Sequence, residues 1–75
     1  MKEYDIYIKD LGIKIRSLRN EKGWNQKYFG SEVGIDERQL RKIEKGRTNP
    51  RIDTLYSIAK KFNMTVSELL NLKPD

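Results

Sequence analysis

The side chains best equipped for recognition chemistry in this 75-residue chain lie between Arg38 and Arg51, where six basic residues accompany a single acid, Glu44. Arg and Lys can donate to guanine O6 and N7 in the major groove of a duplex, Gln can pair with adenine, and Glu can accept from a cytosine amino group. The run from Glu37 to Ile43, ERQLRKI, contains all of these types, interrupted only by Leu40 and Ile43. On a helical wheel of about 100° per residue, those two apolar residues define a buried side. Arg38, Lys42 and Lys45 then face directly away, with Arg41 on one flank and Gln39 on the other. The expected base-reading set is therefore Glu37, Arg38, Gln39, Arg41 and Lys42. A charged face with no ligand would be spread more evenly, with acids among its bases.

Covalent chemistry has little to draw on. The chain has no His and no Cys, so disulfides and the usual zinc sites are excluded. Catalysis would need a carboxylate pair, a lysine or a glycine-rich phosphate loop, and the glycines fall instead at helix junctions. No enzyme, metal, cofactor or small-molecule ligand is expected. A net charge of +5 favours a polyanionic partner. The charged N-terminus, MKEYDIYIKD, resembles no signal peptide, and no apolar run is long enough to span a bilayer. A cytoplasmic location without membrane contact is expected.

Five helices must position the basic face. Tyr4, Ile8, Leu11, Ile15 and Leu18 recur at spacings of four and three, the stripe of a first helix running to about Lys22. Tyr7 and Ile6 lie off that stripe. Asn25 is a suitable N-cap for a second helix, Gln26 to Val33, with Phe29 and Val33 inward. Asp36 begins a third, forming with Gln39 a capping-box pattern, and Gly46 closes it. After the loop RTNPR, a fourth helix spans about Ile52 to Phe62 with Ile52, Leu55, Ile58, Ala59 and Phe62 inward. Thr65 and Glu68 form a second capping box for a short last helix, which Lys73-Pro74-Asp75 cannot extend far. No stretch alternates as a strand does. The expectation is one all-α domain over residues 1–75.

Gly30 and Gly34 sit where glycine is costly to a helix, unless two helices meet there. Only Gly34 and Ile35 separate the second helix from the cap of the third, which forces a sharp turn, the helix-turn-helix arrangement. Gly34 suits the left-handed residue that such a turn needs, and Gly30 lets the backbones approach.

From Leu11 to Leu70 the chain resembles the lambda-repressor-like, Cro/CI-type (XRE) helix-turn-helix family. The matching elements are LGIKIRSLR (11–19), GWNQ (23–26), FGSEVGI (29–35), IEKG with RTNP (43–50) and LYSIAKKFNMTVSELL (55–70). The family usually has Leu-Ala at Phe29-Gly30, often Glu at Tyr28, and commonly a capping Ser at Arg51. The last two departures touch stability more than function, and Asp53 can offset the lost cap through the helix dipole.

The resemblance implies double-stranded DNA as partner, with bases read chiefly from Glu37, Arg38 and Lys42. It pairs Arg19 with Glu44 as a structural ion pair and assigns Gln26 to the DNA backbone. Asn25 joins Gln26, because unpaired N–H groups at a helix start favour anions. Lys45, Arg47, Thr48, Asn49 and Arg51 are the other expected phosphate contacts, with Lys27 a weaker one. Trp24 matches an apolar packing residue of the family rather than a base-stacking platform. The function implied is a transcriptional regulator, a repressor by expectation, binding an inverted-repeat operator as a homodimer, since one such domain reads only a few base pairs. Val66, Leu69, Leu70 and Leu72 are the candidate dimer surface. The rival is a protein-interaction module, such as an antitoxin-type partner, in which that apolar surface outweighs Arg38 and Lys42.

Overall fold

Asn25, Asp36 and Thr65 each open a helix with a side chain that accepts a main-chain hydrogen bond, at Tyr28 N, Gln39 N and Glu68 N respectively. The computed structural model describes residues 3–72, and in it these caps divide the chain into five helices. They are α1 (Glu3–Glu21), α2 (Gln26–Val33), α3 (Glu37–Glu44), α4 (Ile52–Lys61) and α5 (Val66–Leu69). There is no strand among the described residues.

The junction between α2 and α3 carries the expected left-handed residue, Gly34, at φ 82°. Its geometry lets Ile35 N donate back to Gly30 O at 2.9 Å, closing the last turn of α2. Gly30 faces the same turn: a Cβ there would meet Ile35 O at 2.9 Å. Glycine thus serves both sides of this corner, Gly34 for its left-handed conformation and Gly30 for the close approach to Ile35 O.

A third close approach has no counterpart in the helix-junction reasoning. Gly12, in the middle of α1, lies against the end of α3, and a methyl group built on it would stand 2.7 Å from Glu44 O and still nearer Ile43 O. The missing side chain brings α1 onto the carbonyls of α3. That contact sets the height at which α3 sits on the core.

The interior is built from Ile15, Phe29, Leu40, Ile43, Ile58 and Leu69, all fully buried. Trp24 stacks on Phe29 and Phe62 with centroids 5.8 and 5.9 Å away, so it packs half-buried against the core cluster. Lys61 lies over the Trp24 ring, with Nζ 4.9 Å from its centroid and 2.9 Å from Glu32 Oε1. Hydrogen bonds to Glu32 and then to Tyr28 hold the Lys61 ammonium above the ordinary lysine range. These contacts tie α4 to α2.

Three expectations about packing need correction. Tyr4 is 55% exposed, because residues 3–7 of α1 outrun the core and Ile8 is the first buried residue. Ile52 is 71% exposed: the buried stripe of α4 runs through Thr54, Leu55, Ile58 and Ala59, which leaves Ile52 about 90° from its centre. The capping box of α3 is half made. Asp36 accepts from Gln39 N at 2.7 Å, but no bond returns from the Gln39 side chain among the described residues, whereas Thr65 and Glu68 complete both arms. An acidic cap satisfies the helix start without help, leaving the Gln39 amide exposed.

At α4, Arg51 supplies no side-chain cap, and Asp53 Oδ1 instead accepts from Thr54 N at 2.8 Å. Tyr7 donates to Leu70 O at 3.0 Å, while Lys14 Nζ bonds Glu68 O and Asn71 O at 2.6 and 2.9 Å, which secures the end of α5 to α1. Gly12→Ala should cost about 1–3 kcal/mol through overpacking. Urea unfolding should show a lower midpoint with an unchanged slope.

Candidate nucleic-acid interface

Leu40 and Ile43 anchor α3 in the core, and this fixes the direction of everything else on the helix. Glu37, Arg38, Gln39, Arg41, Lys42 and Lys45 are all exposed. Arg38, Arg41, Lys42 and Lys45, with Arg47 beyond the helix, line a shallow hollow of about 180 Å³. Among the described residues the hollow is lined by long cationic side chains and by no carboxylate. Glu37 lies one turn before Arg41, whose Nη2 donates to Glu37 Oε2 at 3.2 Å. The pair is half exposed and contributes little to stability.

Glu44 is turned the other way. Arg19 Nε donates to its Oε2 at 2.7 Å and Arg19 Nη2 to its Oε1 at 3.0 Å, a bidentate pair in which the two residues are 7% and 6% exposed. The third guanidinium nitrogen, Nη1, donates to Trp24 O at 2.7 Å. Gln26 Nε2 adds a bond to Glu44 Oε1 at 3.0 Å. One carboxylate thus joins α1, α2 and α3, and the only acid within the basic segment is withdrawn from the surface.

Gln26, expected at the DNA backbone, therefore spends one amide hydrogen inside this network and is half-buried. It also lines a second, polar cleft of about 570 Å³ shared by Arg16, Arg19, Asn25, Lys27 and Glu37. Arg16 did not emerge from the sequence reasoning. The available signal was its position one turn before Arg19, on a neighbouring line of the same helix.

The loop after α3 keeps Arg47, Asn49 and Arg51 exposed, with Thr48 half-buried above a buried Pro50. Arg51 Nε rests 3.3 Å from Asp53 Oδ1, so its charge is partly matched. Of the loop residues, Arg47 shares the hollow with Arg38, Arg41, Lys42 and Lys45, while Asn25, Gln26 and Glu37 line the cleft beside α2. The candidate dimer residues do not behave as a set. Leu69 is fully buried in its own chain, a correction that removes it, whereas Val66, Leu70 and Leu72 are half-buried and packed against the core.

Residues 15–69 match the family described as helix-turn-helix. The chain belongs to the Cro/CI-type helix-turn-helix family. This helix-turn-helix family comprises DNA-binding transcriptional regulators rather than enzymes. Among its relatives, the chain is 39% identical over 57 residues to the HTH-type transcriptional regulator DdrOP3 of Deinococcus deserti, covering 76% of this chain and 44% of that protein. It is 31% identical over 58 residues to the cryptic phage CTXphi transcriptional repressor RstR of Vibrio cholerae, covering 77% of this chain and 52% of that one. The chain thus spans about half the length of these two relatives. In fold it is similar to the restriction-modification controller protein C.AhdI of Aeromonas hydrophila, with a TM-score of 0.83 at 22% identity over 91% of this chain and 99% of that one. No helix among the described residues is long and apolar enough to cross a membrane.

Glu44→Ala should cost on the order of 3 kcal/mol, since it leaves the Arg19 guanidinium buried without a counter-charge. Replacing both partners, Arg19→Met with Glu44→Leu, should cost less than the single change. Chemical denaturation of the single and double variants measures the difference.

Proposed function

We propose that the protein is a homodimeric repressor that reads an inverted-repeat operator by placing α3 in the major groove. The observation that carries this reading is the segregation of charge on α3: Arg38, Arg41, Lys42 and Lys45 outward, Glu44 inward against Arg19. Arg38 and Lys42 are one turn apart and present donors to guanine edges, and Gln39 and Glu37 extend the readout to adenine and cytosine. Arg47, Thr48, Asn49 and Arg51 hold one sugar-phosphate strand, while Asn25 and Gln26 meet a phosphate at the start of α2. Phosphate contacts set register and affinity; base contacts set sequence. RstR, itself named a transcriptional repressor, supports the choice of repression.

Two copies are required for useful specificity, spaced about one helical turn apart on the duplex. The surface proposed for pairing lies on α4 and α5. Ile52 and Tyr56 are exposed one turn apart on α4, and Tyr56 leads into a groove of about 440 Å³ lined also by Ala59, Met64 and Val66. Lys60 and Glu68 line the same groove, opposite charges that a two-fold axis would bring together twice. Val66 is retained from the sequence-based set, and Tyr56 and Met64 take the place of Leu69.

Selection from a random duplex pool followed by footprinting should recover a two-fold symmetric site. On that site Arg38→Ala should lose about 1–3 kcal/mol and relax one base position, whereas Arg47→Ala should weaken all sequences alike and flatten the salt slope by about one. Identical losses for both variants on every sequence would rule out base reading by α3. Tyr56→Glu should yield a monomer in sedimentation velocity and shrink the footprint to a half-site.

A further inference from the structure

The cleft beside α2 contains two cations, Arg16 and Lys27, that pair with none of the described residues. Arg19 is committed to Glu44 and Trp24 O, and Glu37 to Arg41. Arg16 and Lys27 line the same cleft, are exposed, and make no side-chain hydrogen bond or ion pair among the described residues. At its floor α2 begins. Asn25 Oδ1 occupies Tyr28 N and Asn25 O accepts from Phe29 N, while the N–H groups of Gln26 and Lys27 find no protein acceptor among the described residues. Arg16 comes from α1 and Lys27 from α2, so the cleft draws its cations from both helices.

We propose that Arg16 is a phosphate-binding residue that, with Lys27, grips the sugar-phosphate backbone of a duplex at the start of α2, outside the groove entered by α3. The inference rests on the reading of the protein as a duplex-DNA binder and adds a contact on α1, the scaffold helix. A guanidinium suits the position because its forked donors can engage two oxygens of one phosphate, while the main-chain N–H groups approach from the other side. The contact would also explain why a basic residue is left unpaired beside an ion-pair network that absorbs its neighbour. With the loop after α3 holding one strand, Arg16 supplies the opposing grip, and the two together fix the depth and tilt of α3.

The test uses the duplex recovered by selection with the unaltered chain. Arg16→Gln should weaken binding about tenfold at low salt, to the same degree on preferred and unrelated sequences. It should make the dependence of log affinity on log salt shallower by about 0.9, the counterion release of one phosphate. Arg16→Lys should keep most of that slope. Methylphosphonate substitution at single positions then locates the contact: one neutralised phosphate should weaken the unaltered protein but leave Arg16→Gln no weaker than before. Because Arg16 is exposed and pairs with no described residue, the thermal midpoint of Arg16→Gln should match that of the unaltered chain. An unchanged salt slope, with every methylphosphonate penalising both proteins equally, would remove Arg16 from the interface and leave the role of α3 intact. A chain that enriches no duplex at all would overturn the DNA-binding reading itself, and Arg16 with it.

Discussion

The buried pair between Arg19 and Glu44 is the constraint around which the rest of the structure is arranged. Taking two charges out of water is expensive, and their attraction offsets that cost only when geometry is good and the remaining donors are satisfied. Both conditions hold here: the pair is bidentate, Arg19 Nη1 reaches Trp24 O, and Gln26 supplies Glu44 Oε1 with a second donor. Its value is one of position. The bidentate contact between guanidinium and carboxylate is directional, which an apolar contact between α1 and α3 would not be. With Gly12 against the carbonyls of Ile43 and Glu44, the last turn of α3 is pinned from two directions.

Pinning one face of a short helix determines the other. α3 has eight residues, and with Leu40, Ile43 and Glu44 buried, Arg38 and Lys42 leave the helix on its solvent side. The chemistry of the outer face is therefore independent of the fold, since none of its side chains packs in the core. Such a division separates the buried residues that orient the helix from the exposed ones it offers to a partner. The same economy explains why Gln39 leaves its capping box half made: Asp36 secures the helix start by itself, and the amide remains outside.

Much of this was legible in the amino-acid order because the signals were local. Asn25, Asp36 and Thr65 cap helices through bonds to residues three positions away, and Gly34 turns the chain through its own backbone angle. The outward set on α3 follows from two apolar residues three apart. Where structure and expectation differ, the way a helix packs against its neighbours decides the outcome. Tyr4 fails to reach the core because α1 extends past its partners, and Ile52 is exposed because Thr54, rather than Ile52, completes the inner side of α4. Leu69 reads like its neighbours Val66 and Leu70, yet only Leu69 is wholly enclosed.

Sequence by itself determined the helix count, the corner between α2 and α3, and the outward donors of α3, because periodicity, capping and glycine backbone preference act over a few residues. Tertiary structure alone decided that Gly12 admits α3, that Gln26 is shared with Glu44, and that Arg16 shares a cleft with the first residues of α2. Each of these depends on two helices approaching within contact distance at a particular height and rotation. No spacing along one chain encodes that relation; it emerges when all the buried side chains must fill a single volume together.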